Sequence, residues 1–102
     1  APELKMLEFA RATMANPKLI LLDEPAAGVN PATLEQLNER IVQLEKSGIT
    51  FLIVDHNLKF ICNISEYILA MSDGLIISEG IPNTVTNDQK VIDCYIGKKK
   101  TE

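Results

Sequence analysis

Two pairs of polar residues, Asp23-Glu24 and Asp55-His56, each close an uninterrupted apolar run, and they are the side chains best suited to chemistry. Adjacent carboxylates can hold a hydrated divalent cation, and one of them can take a proton from a water molecule. A histidine beside them can hydrogen-bond a reacting group or change charge near neutral pH. The plainer alternative is a strand that ends in two solvated acids before the proline turn at Pro25. By the same plain reading, a lone histidine after a strand is a surface or capping residue, and Asp55 is a solvated or capping acid.

These residues need elements that bring them together. Leu19-Ile20-Leu21-Leu22 is too short and too evenly apolar for an amphipathic helix, and it reads as a strand of a parallel sheet buried on both faces. Ile49-Thr50-Phe51-Leu52-Ile53-Val54, rich in β-branched residues, reads as a second. Between them lies a loop of small residues, Pro25-Ala26-Ala27-Gly28-Val29-Asn30-Pro31. Asn30 reads as a helix N-cap and Pro31 as the first helical residue. The helix runs to about Ser47, with Leu34, Leu37, Ile41 and Leu44 as its apolar stripe and Gly48 just past its end. Strand, helix and strand form a βαβ unit, with a right-handed crossover expected. Two neighbouring parallel strands then place Asp23, Glu24 and His56 at one sheet edge, where ligands bind in open α/β sheets.

Before this unit, Glu3 to Asn16 reads as a helix stopped by Asn16-Pro17. Leu7, Ala10 and Met14 share one face, with Met6, Phe9 and Thr13 beside it, and Glu3, Lys5, Glu8 and Arg11 are polar positions. After it, Asn57 to about Asn63 reads as a short helix with Leu58, Ile61 and Cys62 inward. Tyr67–Met71 and Leu75–Ser78 are strands joined by Ser72-Asp73-Gly74, a strong hairpin signal. Pro82 opens a short turn or helix. Gln89 to Ile96 is a last helix, with Val91, Ile92 and Tyr95 on its apolar side and Gly97 ending it. The expected fold class is α/β.

The 102 residues suffice for one domain with a modest core. A net charge of −4 argues against a broad nucleic-acid-binding surface. No apolar stretch approaches the length of a membrane span, and the start has no signal-peptide pattern. A cytoplasmic location is expected, with Cys62 and Cys94 as buried thiols rather than a disulfide.

At this point the residues become recognisable. Leu19–Glu24 resembles the Walker B strand and following catalytic glutamate of ATP-binding-cassette (ABC) ATPases. Ala27-Gly28-Val29-Asn30-Pro31 resembles the D-loop, and His56 the switch histidine. Glu3–Pro17, with Glu8-Phe9-Ala10-Arg11-Ala12, resembles the helix after the family signature. The match covers nearly the whole chain in the right order. Glu24–Pro31, His56-Asn57-Leu58, Ser78-Glu79-Gly80 and Val91–Gly97 are similar to the ATPase subunits of branched-chain amino acid importers. Lipopolysaccharide-export ATPases share parts of this pattern.

The resemblance implies a partial P-loop NTPase core with a parallel βαβ unit, a carboxyl-terminal β-hairpin and terminal helices. It implies that Asp23 holds Mg²⁺ through water, that Glu24 orients and deprotonates the attacking water, and that His56 contacts the γ-phosphate. Ala27, Gly28, Val29 and Asn30 would lie along the interface of an ATP-sandwich dimer. ATP and Mg²⁺ are the implied cofactors of the parent protein. A second nucleotide-binding subunit and a transmembrane permease are its implied partners, at the inner face of the membrane.

Two family features are missing. No G-x-x-x-x-G-K-[ST] phosphate loop occurs; Gly97-Lys98-Lys99-Lys100-Thr101 lacks the upstream glycine and a following helix. Ala1-Pro2-Glu3-Leu4 stands where the Gly-rich signature should end, and Asn30 replaces the aspartate commonest in the D-loop. The expectation is therefore that residues 1–102 are the carboxyl-terminal part of a nucleotide-binding domain, with 98–102 a disordered tail. The 102 residues alone are expected to bind no nucleotide, to lack activity and to self-associate. A non-catalytic association module that keeps only the sheet core is the competing expectation.

Overall fold

The computed structural model describes residues 2–96, with side chains from 6 to 95. The expected helix stop at Gly97, the tail 98–102 and the side chains of Glu3 and Lys5 lie outside the described residues. The chain forms two compact units that meet at Asn57 and Leu58 in the sequence.

The first unit contains α1 (Pro2–Met14), β1 (Leu19–Asp23), α2 (Pro31–Lys46) and β2 (Thr50–Val54). The strands pair in parallel, in a register that sets Leu19 opposite Thr50 and Asp23 opposite Val54. Paired residues share a face, so Ile20, Leu22, Phe51 and Ile53 line one side of the sheet. That side is covered: Ile20 is buried, and the Phe9 ring of α1 stacks on Phe51 with centroids 6.3 Å apart. The other side carries Leu19, Leu21, Leu52 and Val54 at 53%, 66%, 55% and 59% exposure. Burial on both faces is thus corrected to burial on one. The apolar run permits two-sided burial, but the helices of this unit supply a cover for one side.

The inward face of α1 also differs from expectation. Phe9 is buried, with Met6 and Thr13 half-buried, while Leu7, Ala10 and Met14 are exposed. Two adjacent stripes of this helix are apolar, and the aromatic stack with Phe51 selects the one containing Phe9. Asn16 ends the helix at φ 55°, a left-handed conformation that asparagine tolerates better than most residues.

Helix α2 follows the sequence reading closely. Asn30 Oδ1 accepts the Thr33 N–H at 2.8 Å, and Pro31 occupies the first turn. Leu37 and Ile41 are buried, Leu34 and Leu44 half-buried, and Glu35, Gln36, Glu39, Arg40 and Gln43 exposed. Ser47 is the C-cap, and Gly48 follows at φ 109°, where a side chain would be strained.

The second unit contains α3 (Leu58–Ile64), β3 (Ile68–Ser72), β4 (Leu75–Gly80), α4 (Pro82–Thr86) and α5 (Gln89–Val91), which runs into a π-helical turn at Ile92–Ile96. Strands β3 and β4 are antiparallel. Asp73 and Gly74 both have positive φ, 52° and 79°, as a two-residue hairpin turn of the primed type requires. Phe60, Ile61, Ile68, Ala70, Val85 and Val91 are buried. Cys62 is half-buried and Cys94 exposed, and both are free thiols, so Cys94 is not the buried residue its apolar neighbours suggested. No helix of the described residues is long and apolar enough to cross a membrane.

Candidate functional site

The register of the first unit dictates where the polar residues fall. Asp23 is opposite Val54, so Glu24 emerges level with Asp55 and His56 follows one residue later. The Glu24 N–H continues the ladder by donating to the Val54 carbonyl at 2.6 Å. Immediately afterwards the chain must turn away toward α2. It does so with Glu24 itself at φ 53°. A left-handed conformation at a residue with a Cβ costs ~1–2 kcal/mol and persists only where its surroundings over-determine it.

The surroundings here are specific. Pro25 and Ala26 are buried under the turn. The Ala27 N–H donates to the Glu24 carbonyl at 3.2 Å, and the Val29 N–H to the Ala26 carbonyl at 3.3 Å. The Ala26 N–H donates to Asp55 Oδ2 at 2.9 Å, across 29 residues of sequence. The other oxygen of the same carboxylate, Oδ1, accepts the Asn57 N–H at 2.9 Å. Gly28 sits at φ 71° with nothing within 4 Å of where a Cβ would stand, so backbone conformation rather than space favours glycine there.

The two frames bring Glu24 and His56 into contact, with Oε1 and Nδ1 2.9 Å apart. An ionised carboxylate can only accept, so Nδ1 carries the proton in this contact, and Nε2 is the ring nitrogen left to meet a ligand. The side chains are 77% exposed for His56 and 41% for Glu24. Glu24, Asp55 and His56 each present a ligand atom within 4.8 Å of the others. Asp23 is exposed at the end of β1 and is not in that cluster. Its carboxylate is a hard oxygen donor open to solvent, which suits a hydrated Mg²⁺. Ala27, Gly28 and Asn30 are exposed on the loop, with Val29 half-buried.

The sequence reading thus places Glu24 and His56 together correctly. Of the two expectations for Asp55, solvated or capping acid, the half-buried carboxylate fits the capping one through Asn57, and the bond to Ala26 adds a tie between two loops that the sequence reading missed. The Asn57 contact is a local side-chain turn that an aspartate at a strand end signals on its own. The Ala26 contact has no local signature.

No protein-family model matches the chain. Known proteins do. A "probable branched-chain amino acid transport ATP-binding protein LivG" of Archaeoglobus fulgidus is 42% identical over 100 residues, 98% of this chain and 39% of that protein. The lipopolysaccharide export system ATP-binding protein LptB of Haemophilus influenzae is 40% identical over 97 residues, 95% of this chain and 40% of that protein. Among solved structures, the ADP conformation of MJ1267, an ATP-binding cassette of an ABC transporter, superposes with a TM-score of 0.84 at 39% identity, over 95% of this chain and 40% of that one. The chain therefore spans about two-fifths of the length of the relatives it matches, 39% for LivG. Across that span, sequence and fold agree that the chain belongs to the ATP-binding-cassette ATPase family.

Proposed function

We propose that these residues are the carboxyl-terminal part of the nucleotide-binding domain of an ABC transporter ATPase, and that Glu24 and His56 are its catalytic pair. The observation that carries this is their 2.9 Å contact at the ends of two parallel strands, beside the exposed Asp23 carboxylate. Glu24 orients the attacking water and takes its proton; His56, donating Nδ1–H to Glu24, meets the γ-phosphate as the imidazolium, whose Nε2–H is the donor a phosphate oxygen accepts. Asp23 would hold Mg²⁺, and the ion would supply charge neutralisation at the phosphates. Phosphoryl transfer depends mainly on such positioning and neutralisation. Ala27, Gly28, Val29 and Asn30 form a D-loop that faces a second nucleotide-binding subunit. The complete subunit sits in the cytoplasm against a transmembrane permease.

The transported substrate in this reading is a branched-chain amino acid, supported by LivG and by the motif set Glu24–Pro31 and Val91–Gly97. The similar identity to LptB supports lipopolysaccharide export as the second reading. The phosphate-gripping loop is not among these 102 residues, so the chain by itself hydrolyses no ATP.

Two substitutions in the complete subunit test the catalytic assignment. Glu24→Gln keeps the shape and removes the base; it is expected to retain ATP and lose hydrolysis about 100-fold or more. His56→Ala is expected to slow hydrolysis while leaving ATP binding within a few-fold. Turnover near the unmutated value in the first removes Glu24 from the base role; in the second it returns His56 to a surface residue. Labelled leucine uptake by cells carrying the Glu24→Gln subunit distinguishes the importer reading, which requires uptake to fall.

A further inference from the structure

We propose that Asp55 is a positioning residue for hydrolysis: its two carboxylate oxygens tie the loop after Glu24 to the loop carrying His56 and so set the distance between the catalytic pair. The proposal rests on the roles given above to Glu24 and His56 and adds what holds them. Oδ2 accepts from Ala26 N–H, two residues past Glu24, and Oδ1 from Asn57 N–H, one residue past His56, each at 2.9 Å. These bonds flank the contact between Glu24 Oε1 and His56 Nδ1 on both chain segments.

Three features make this tie matter. Glu24 is held at φ 53°, a conformation the chain leaves unless the turn after it is pinned. The Glu24–His56 contact is between exposed side chains, so it cannot hold its own geometry against solvent and side-chain freedom. Asp55 is half-buried, and its Oδ2 joins the 26–30 loop to the end of β2. Displacing a catalytic group by about 1 Å costs about 100-fold in rate, so loss of the tie reads out as turnover rather than affinity.

The test uses Asp55→Ala, which removes both acceptors, and Asp55→Asn, which keeps the shape and one acceptor oxygen. In the complete ATPase, kcat is expected to fall about 10- to 100-fold for Asp55→Ala and less for Asp55→Asn, with KM for ATP within about twofold. The 102-residue chain gives a second readout, because His56 is its sole histidine. In its neutral form the imidazole should report the Nδ1–H tautomer by ¹⁵N NMR in the unmutated chain. In Asp55→Ala it should move toward the Nε2–H form that an unconstrained histidine prefers. An unchanged kcat, a KM that rises in step with a falling kcat, or an unchanged tautomer overturns the proposal. If Asp55→Ala fails to fold, the same criteria apply to Asp55→Asn. Loss of hydrolysis in Glu24→Gln with none in the Asp55 variants refutes the positioning role and leaves the function standing. Unaffected hydrolysis in Glu24→Gln refutes the function, and the tautomer then still decides whether Asp55 sets the Glu24–His56 geometry.

Discussion

Removing the Asn30 side chain should destabilise the first unit by an amount the structure fixes. Asn30 has extended backbone, φ −73° and ψ 163°, and its Oδ1 accepts the Thr33 N–H at 2.8 Å while its carbonyl accepts the Leu34 N–H at 2.9 Å. Pro31 has no N–H, so the side-chain bond to Thr33 satisfies one of only a few orphan donors at this helix start. Asn30→Ala forfeits that bond and costs about 1 kcal/mol. For a chain of this size that is about 4–8 °C in Tm. Asn30→Asp keeps the acceptor and adds a negative charge at a helix start that has no acid in its first turn. It should add about 0.3–1 kcal/mol at low salt and lose the gain as salt is raised. Urea unfolding followed by far-UV circular dichroism measures both, through a midpoint shift at constant slope. The expected order is Asp, then Asn, then Ala. If Asn30→Ala matches the unmutated chain within about 0.3 kcal/mol, Asn30 is not a working cap in solution. If Asn30→Asp is the less stable of the two polar forms, repulsion from Asp23 and Glu24 outweighs the helix dipole.

Asn38 on α2 is half-buried, and its Oδ1 is sealed from solvent with no hydrogen-bond partner among the described residues. Asn38→Leu should therefore stabilise by about 1 kcal/mol in the same urea assay, and a loss of stability would mean that a partner is present in solution. The Lys90 backbone N–H, then the Ser78 hydroxyl, hold the Asp88 carboxyl below the ordinary aspartate value. A depressed pKa contributes stability that is present above the unfolded value and disappears as pH falls through the folded one. Carboxyl ¹³C titration should accordingly place the Asp88 midpoint below that of an unfolded aspartate, and a midpoint at or above it removes the cap. The exposed apolar face of Leu19, Leu21, Leu52 and Val54 leads us to expect self-association, with light scattering giving a mass above 11.3 kDa and calorimetry showing no Mg-ATP binding at millimolar ligand. A monomer that binds ATP tightly contradicts both parts.

What the sequence made legible is what local chemistry determines. The two apolar runs, the Asn30-Pro31 helix start, the Gly48 stop and the Asp73-Gly74 turn each carry their own signal, and each sits where it was expected. The convergence of Glu24 and His56 was legible because a βαβ unit forces the ends of two strands to one edge. What was not legible depends on partners distant in sequence. The inward stripe of α1 is chosen by Phe51, 42 residues from Phe9 by their numbering. The last helix loosens into a π-helical turn at Ile92–Ile96, where the Tyr95 hydroxyl donates to the Met71 carbonyl. Neither contact leaves a trace in the periodicity of its own element.

The same distinction bears on how the candidate site works. An exposed pair such as Glu24 and His56 contributes ~0–1 kcal/mol to its own formation, too little to hold one geometry. Its placement must come from the backbone beneath. Two bonds there lie across the two strand ends, Glu24 N–H to the Val54 carbonyl and Ala26 N–H to Asp55, and a third, Asn57 N–H to Asp55, fixes that carboxylate within its own segment. The first belongs to the sheet ladder and survives any side-chain change. The other two converge on a single carboxylate. In the reading proposed above, such a site keeps Glu24 and His56 open to a ligand while the Asp55 carboxylate that would align them stays half-buried. Substitutions at Asp55 should therefore act on turnover, and those at Glu24 and His56 on the chemistry itself.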